Sequence, residues 1–178
     1  MKIVVTKLLD WAGQTRSPRY KITAGVLGGI FFVGILPALL FAAGYAIEQR
    51  YLLNAWASIQ KIIGAVSVVL GLLVLAWCLF AHIRIGRGTP VPLAPPQELI
   101  VTGPYRFSRN PIQFGACLYY FGLGAVFGSF AVGVIMVLVV LIIGGCYHKF
   151  IEEKELRERF GNEYEEYRKK TPFLLPKW

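Results

Sequence analysis

NPIQFGACLYYFGLGAVFGSFAVGVIMVLVVLIIGGCY, residues 110–147, runs from Arg109 to His148 without one charged side chain. A helix crosses the roughly 30 Å hydrocarbon core of a bilayer with about 20 residues, and this stretch is nearly twice as long. Gly128 and Ser129 near its middle are residue types that favour a tight turn. The stretch therefore predicts a helical hairpin that crosses the membrane twice, at residues 111–128 and 130–147.

Two more uncharged runs precede this hairpin, at residues 22–47 and 62–83. Each is long enough to form a transmembrane helix. The composition agrees, because 56% of the 178 residues are hydrophobic, 16% are charged and the mean hydropathy is +0.55, which is too apolar for a typical soluble domain. The sequence predicts an all-α membrane protein with four transmembrane helices in a single integral membrane domain, residues 1–178.

The two ends of the chain mix apolar and charged residues. Residues 1–20 suit a short interfacial helix, with a frayed tail as the alternative. The first long apolar run begins only at Ile22 and is longer than the apolar region of a signal peptide, which argues against a cleaved leader. In residues 148–178 apolar side chains recur at helical spacing, which predicts an amphipathic cytosolic helix interrupted near Gly161. These side chains are Leu156, Phe160, Tyr164 and Tyr167.

Positive charge predicts the orientation. Of the 19 lysines and arginines, all but Arg50 and Lys61 fall on one side of the predicted spans. The positive-inside rule makes that side cytoplasmic, with both termini inside the cell and the protein in the inner or plasma membrane. We interpret the net charge of +9 as the sum of basic residues that set the orientation in the membrane and attract anionic lipids. Since the basic residues flank the spans and form no groove-sized patch, we expect no nucleic-acid partner.

Residues 84–110 form the loop between the second and third spans and are rich in proline and glycine. Proline fixes φ and removes a donor, so we expect an irregular cytosolic loop that packs on the protein or the membrane interface. Cys78, Cys117 and Cys146 lie inside predicted spans without metal-ligand spacing. We interpret them as small buried side chains and predict no metal site.

Three groups of polar residues are predicted to meet on the cytoplasmic side, and each has an ordinary structural explanation. Asn110 and Pro111 are a typical helix start, and Arg106 and Arg109 could anchor a span to lipid phosphates. Glu152 and Glu153 could be solvated helix charges, and His148 an interfacial anchor. Gln113 points a polar side chain into a span, where such groups usually face a partner or a cavity. The groups are 103–111 (GPYRFSRNP), Glu152-Glu153, and 160–164 (FGNEY) with Tyr167.

Taken together, their order and spacing resemble the isoprenylcysteine carboxyl methyltransferase and phospholipid methyltransferase superfamily. The motifs are Gly103-x-Tyr105-Arg106, Arg109-Asn110-Pro111, a hydrophobic hairpin, Glu152-Glu153, and Phe160-Gly161 with Tyr164 and Tyr167. The loop Gly88-Thr89-Pro90 to Pro95-Pro96 is similar to the prokaryotic branch. The resemblance extends from about Arg84 to the C-terminus.

The resemblance implies an integral membrane enzyme that uses S-adenosyl-L-methionine to methylate a lipophilic acceptor. It implies catalytic roles for Arg109, Asn110, Glu152 and Glu153, and leaves Arg106 and His148 as candidates for substrate binding. Cofactor contacts in the family come from the segment before the Gly-x-Tyr motif, the tyrosine, the Asn-Pro segment and the first glutamate. In this chain these are Gln97, Glu98, Leu99, Ile100, Tyr105, Asn110, Pro111, Ile112, Gln113 and Glu152.

Two departures from the family pattern leave alternatives open. Many carboxyl-methylating members have histidine at the position of Asn110 and an aromatic residue at that of Gln113. They also place an arginine near the position of His148 to hold the acceptor carboxylate. The acceptor is therefore open between a carboxylate and an amine. A non-catalytic scaffold or lipid-binding protein and an NADPH-dependent enzyme like the sterol reductases are the alternative functions. Oligomeric state is open as well.

Overall fold

The structure is a computed structural model that describes residues 2–12, 17–51 and 57–175, and all regular structure in these ranges is helical. A π turn, Ile30–Ile35, joins α2 to α3, and a second, His148–Glu152, joins α6 to α7. The loop after α4 contains a 3-10 turn, Gly103–Arg106. The α-helices are α1 Lys2–Ala12, α2 Pro18–Gly29, α3 Leu36–Tyr51, α4 Ala57–Arg84, α5 Pro111–Phe127, α6 Phe130–Tyr147 and α7 Glu153–Lys170. The prediction of an all-α protein is confirmed.

Three continuous helices are long and apolar enough to cross a membrane: Pro18–Gln49, Ile59–Arg84 and Phe130–Lys170. Helix α5 is apolar but shorter, at 17 residues. The helices contact one another in the order α3, α6, α5, α4, so α5 lies between α4 and α6. Exposed isoleucine, leucine, valine and phenylalanine side chains line α2, α3 and α4, as expected for surfaces that face lipid.

Local sequence signals set several helix ends. The side chain of Ser17 accepts a hydrogen bond from the N–H of Tyr20 and Pro18 occupies the first helical position, so this helix begins before the predicted span at residue 22. The hairpin turn predicted at Gly128 and Ser129 is confirmed. Gly128 ends α5, and the Ser129 hydroxyl caps α6 by accepting from the N–H of Val132 at 3.3 Å.

The π turn in the first span has a visible cause in Pro37. Proline has no N–H, so the carbonyl of Val33 loses its helical donor, and the π register also frees the carbonyl of Phe32. Two tyrosines of α5 supply the missing donors. The Tyr119 hydroxyl donates to Val33 O at 2.9 Å and the Tyr120 hydroxyl to Phe32 O at 2.5 Å. Both carbonyls that lose their helical donors therefore accept hydrogen bonds from the neighbouring helix α5.

Replacing either Tyr119 or Tyr120 with phenylalanine should destabilise the helix bundle while leaving its apolar packing unchanged. Each variant leaves a carbonyl without a donor in an apolar environment, which costs about 1–3 kcal/mol per group. We expect Tyr119→Phe and Tyr120→Phe each to lower the midpoint of thermal unfolding in detergent. Tyr45→Phe, at an exposed position on α3, is the matched control. Equal midpoints for all three variants and the parent would contradict this interpretation.

Close packing of α4 on α5 depends on glycines spaced seven residues apart on each helix. A Cβ on Gly71 would lie 2.5 Å from the backbone nitrogen of Tyr119, and a Cβ on Gly122 would lie 2.5 Å from the carbonyl oxygen of Gly64. Such contacts are too short for any side chain, so the helix backbones touch directly. Small residues at helix interfaces are typical of membrane bundles, where close approach supplies the packing energy.

The flanking helices α1 and α7 contact each other. Val5 of α1 is buried, whereas Ile3 and Val4 on the same helix are exposed. This pattern suits the predicted interfacial helix, although its placement on a membrane stays a prediction. Gly161 adopts φ +51° and breaks α7 into two helical pieces, which confirms the interruption predicted from the sequence.

Candidate functional site

The loop after α4 is packed, as its few polar residues predicted. Thr89 stabilises the loop from within. The backbone N–H and the hydroxyl of Thr89 both donate to the carbonyl of Ala94, at 2.8 and 3.0 Å. Val91 and Ala94 pack with Ala24 of α2 in a small core. Gly88 passes so close to the Pro95 carbonyl that a Cβ would lie 2.5 Å away. The loop therefore has a defined shape against the first span.

Four residues predicted to contact a cofactor lie in the second half of this loop. The N–H of Gln97 donates to Gly86 O at 2.6 Å, and the exposed side chain of Glu98 pairs with Arg87 at 3.2 Å. Leu99 is half-buried and Ile100 is buried. Gln97 and Glu98 thus present polar side chains to solvent, while Ile100 anchors the loop in the protein.

A buried histidine at the end of α4, His82, contacts Tyr105 of the Gly-x-Tyr motif. Nδ1 of His82 lies 3.0 Å from the carbonyl of Cys78 and 3.3 Å from the hydroxyl of Tyr105, and the two rings contact edge to face at 5.5 Å. A carbonyl can only accept, so Nδ1 carries the proton in the neutral ring and Nε2 is left unprotonated. Only 6% of His82 is exposed.

Glu152 completes this group, here named the His82–Tyr105–Glu152 cluster. Burial acts to raise the pKa of Glu152, but the charge of the hydrogen-bonded His148 outweighs this effect and holds that pKa below its ordinary value. Burial raises the pKa of the Tyr105 phenol well above its usual range, and the charge of Glu152 adds to the rise. At neutral pH the cluster therefore contains an ionised carboxylate and a neutral phenol.

Arg109 holds the C-terminal segment against the start of α5. Its guanidinium pairs with Glu153, donates to Thr171 O at 3.0 Å through Nε, and reaches the Tyr164 hydroxyl at 3.3 Å. Its backbone N–H donates to Pro172 O at 2.9 Å. The two charged side chains are 9% and 8% exposed, so this ion pair is buried.

The residues on either side of Arg109 continue the same arrangement. The Asn110 amide donates to Phe173 O at 2.8 Å, and the Ser108 hydroxyl donates to Leu174 O at 2.8 Å. Asn110 occupies the predicted capping position of α5, but its side chain makes no capping bond because it binds the tail instead. We name this group, Ser108, Arg109, Asn110 and Glu153 with residues 171–174, the tail clasp.

The two adjacent glutamates therefore have different surroundings. The side chain of Glu152 is 35% exposed and pairs with His148, whereas that of Glu153 is 8% exposed and lies near Arg109, Lys149 and Arg168. Neighbouring residues on a helix point about 100° apart, which separates the two carboxylates. The hydroxyl of Tyr167 donates to the carbonyl of Tyr105 at 2.7 Å and so links the cluster to the tail clasp.

The remaining predicted site residues lie apart from the cluster. The Gln113 amide donates to Val140 O at 2.8 Å and packs on Gly144, so it joins α5 to α6 inside the bundle. Pro111 is buried and Ile112 half-buried in the first turn of α5, and Arg106 is exposed. The structure thus brings Tyr105, His148 and Glu152 to one place, and Arg109, Asn110 and Glu153 to the tail.

Sequence reasoning missed His82 and Ser108. His82 carries a usable signal, because it is a polar residue inside the last turn of an apolar span, where such side chains usually serve a partner or a site. Ser108 carries no comparable signal, since its acceptors are backbone carbonyls more than sixty residues away.

These features define a helical membrane protein with a polar site where its apolar helices meet a charged, packed loop and tail. The family model described as phospholipid methyltransferase matches residues 59–163, from α4 into α7. The chain belongs to this family, which confirms the resemblance given by the motifs and implies a methyltransferase acting on lipid-type substrates. Neither the curated proteins nor the solved structures contain a match.

Proposed function

We propose that this protein transfers the methyl group of S-adenosyl-L-methionine to a lipophilic, membrane-borne acceptor through an amine or carboxylate group. The observation that carries the proposal is the His82–Tyr105–Glu152 cluster, where an ionised carboxylate and a neutral phenol lie together at the end of an apolar bundle. In this proposal four spans cross the membrane, and the loop, the cluster and both termini face the cytosol.

The residues present fit such a cofactor. Its amino-acid ammonium and ribose hydroxyls are donors that need anionic or neutral acceptors. Oε2 of Glu152 pairs with His148, while Oε1 has no hydrogen-bond partner among the residues that the structure describes. Glu152 and Tyr105, with the exposed Gln97 and Glu98, would hold the cofactor polar groups. The backbone of Leu99 and Ile100 would form one wall of this site.

When bound, the cofactor supplies a methyl group activated by a positively charged sulfur. The protein then has to align two reactants and exclude water, and no metal is needed for such an in-line displacement. Glu152 would bind the cofactor through its carboxylate and so orient it. His82 holds the Tyr105 hydroxyl in place through their hydrogen bond. Arg109, Asn110 and Glu153 act as positioning residues, because the tail clasp holds the first turn of α5 in place.

The acceptor would approach from the bilayer, beside Arg106 and His148. An amine acceptor has to lose a proton, and Nε2 of His82 is an unprotonated nitrogen within the cluster that can take it. A carboxylate acceptor needs no base. Family membership favours a methyltransferase over the scaffold and the reductase as alternatives.

The test is methyl transfer itself. Purified protein in detergent, given S-adenosyl-L-methionine labelled on its methyl group and a total lipid extract, is expected to place label in the organic phase. The reaction should depend on protein concentration and should stop with S-adenosylhomocysteine, the demethylated product. A folded sample that transfers no label to any lipid would count against the proposal.

A further inference from the structure

Arg159 of α7 reaches across to the loop that follows α4. One terminal nitrogen of its guanidinium, Nη2, donates to the carbonyl of Pro96, and the other, Nη1, pairs with Glu155 at 2.7 Å. The side chains of Arg159 and Glu155 are 12% and 7% exposed, so this ion pair is largely buried. A guanidinium with two fixed partners holds the loop carbonyl at a defined position.

Two neighbours on α7 orient this guanidinium. Glu155 lies one turn before Arg159, at the four-residue spacing at which side chains on a helix meet. The guanidinium also stacks on the ring of Phe160, with 4.8 Å between its central carbon and the ring centroid. Arg159 is therefore held in place by its own helix, and less side-chain freedom is lost when it binds the loop.

The hydrogen bond from Arg159 falls on the peptide group that joins Pro96 to Gln97. The carbonyl of this peptide accepts from Arg159, and its N–H donates to the carbonyl of Gly86 at 2.6 Å. Gly86 is closely packed here as well, because a Cβ on it would lie 2.7 Å from the Cβ of Pro96. Both polar groups of one peptide are thus fixed, one by α7 and the other by the start of the loop.

This peptide lies next to the exposed part of the loop. Gln97 and Glu98 are exposed, and in the proposed function they hold polar groups of the cofactor. Glu152, a further side chain assigned to the cofactor, lies seven residues before Arg159, which is about two helical turns along the same side of α7. The hydrogen bond from Arg159 therefore joins the helix that carries one of these side chains to the loop that carries the other two.

We propose that Arg159 is a positioning residue of the cofactor site, which holds the loop at a fixed distance from Glu152 and thereby strengthens the binding of S-adenosyl-L-methionine. This inference rests on the proposed function. Arg159 acts through the Pro96–Gln97 peptide, and without this hydrogen bond part of the binding energy is used to order the loop. The expected signature is a higher KM for the cofactor with kcat nearly unchanged.

The double variant Glu155→Leu/Arg159→Met tests this role without leaving a buried charge unpaired. Replacing both members of a buried ion pair with apolar side chains of similar size is often neutral for folding, whereas removing one member is costly. We expect the double variant to raise the KM for S-adenosyl-L-methionine, and the dissociation constant of S-adenosylhomocysteine in calorimetry, by about three- to 30-fold. Arg159→Lys, whose single nitrogen replaces two, should lie between the double variant and wild type.

Hydrogen–deuterium exchange of the loop gives a readout that needs no cofactor. The backbone N–H of Gln97 is hydrogen bonded to the carbonyl of Gly86, so release of the loop exposes it to solvent. In the double variant, the peptide that contains Gln97 is expected to exchange at least about threefold faster. The amides of the α5–α6 hairpin should keep their wild-type rates, which shows that the bundle stays folded.

Arg157→Met is the matched control. Arg157 lies on the same helix and also pairs with a glutamate, Glu165, but their side chains are 47% and 35% exposed. The KM and the loop exchange of this control should stay within about twofold of wild type. An unchanged KM in the folded double variant, with or without faster loop exchange, would overturn the proposal, and so would equal changes in Arg157→Met.

The proposed function itself fails in a different way. If folded wild type binds no S-adenosylhomocysteine, the cofactor site is wrong, and the role of Arg159 in cofactor binding is wrong with it. Wild-type binding together with an unchanged KM in the double variant would contradict only the role of Arg159.

Discussion

Replacing Glu152 with alanine is expected to remove most of the affinity for S-adenosyl-L-methionine while leaving the fold intact. The Glu152 carboxylate is ionised and has one oxygen available for a ligand donor. A hydrogen bond to a charged group is worth about 1.5–3 kcal/mol, so binding should weaken by roughly tenfold to 100-fold or more. Isothermal titration calorimetry with the cofactor or S-adenosylhomocysteine would measure the change.

Glu158→Ala is the matched control for this experiment. Glu158 is also a carboxylate of the charged helix α7, but its side chain is 42% exposed and lies 4.0 Å from Lys154. Its removal should leave cofactor affinity within about twofold. If Glu152→Ala binds the cofactor as tightly as Glu158→Ala, the cluster is not the cofactor site.

Arg109→Ala is expected to be strongly destabilising. It leaves the buried carboxylate of Glu153 without its closest partner and removes the donors to Thr171 O and Tyr164. Breaking a buried ion pair from one side costs about 3–5 kcal/mol, and Lys149 and Arg168 near Glu153 place the expected loss toward the lower value. For a chain of this size the midpoint of thermal unfolding should fall by roughly 10 °C.

Arg157→Ala separates this effect from the general loss of a charge. Arg157 also pairs with a glutamate, Glu165, but the two side chains are 47% and 35% exposed. Exposed pairs contribute about 0–1 kcal/mol, so its unfolding midpoint should hardly change. Equal midpoints for Arg109→Ala and Arg157→Ala would show that the tail clasp contributes little to stability.

Much of the architecture follows from composition and turn chemistry. The uncharged runs predicted the helices, and Gly128 with Ser129 predicted the hairpin turn that the structure contains. Family membership was predictable because the motifs on either side of the hairpin keep a recognisable order. The π turn before Pro37 was not predicted, since its stability depends on hydroxyl donors from α5 that no local pattern reveals.

The roles of the two adjacent glutamates also required the structure. A helical wheel drawn from the sequence assumes one phase from α6 into α7, whereas the π turn His148–Glu152 changes that phase. Glu152 pairs with His148, as residues four apart on a helix can, whereas Glu153 meets Arg109 from the loop before α5, a contact that no local pattern predicts. The hydrogen bonds from Asn110 and Ser108 to the tail could not be predicted from the sequence either. Their acceptors are backbone carbonyls, which every residue has.

The most direct measurement follows a labelled methyl group from S-adenosyl-L-methionine into lipid, with wild type and Glu152→Ala compared at equal folded concentration. The proposed function predicts time-dependent label in the organic phase with wild type, and a rate at least about tenfold lower with the variant. Label that stays wholly in the aqueous phase with folded wild type, or equal rates for the two proteins, would contradict it.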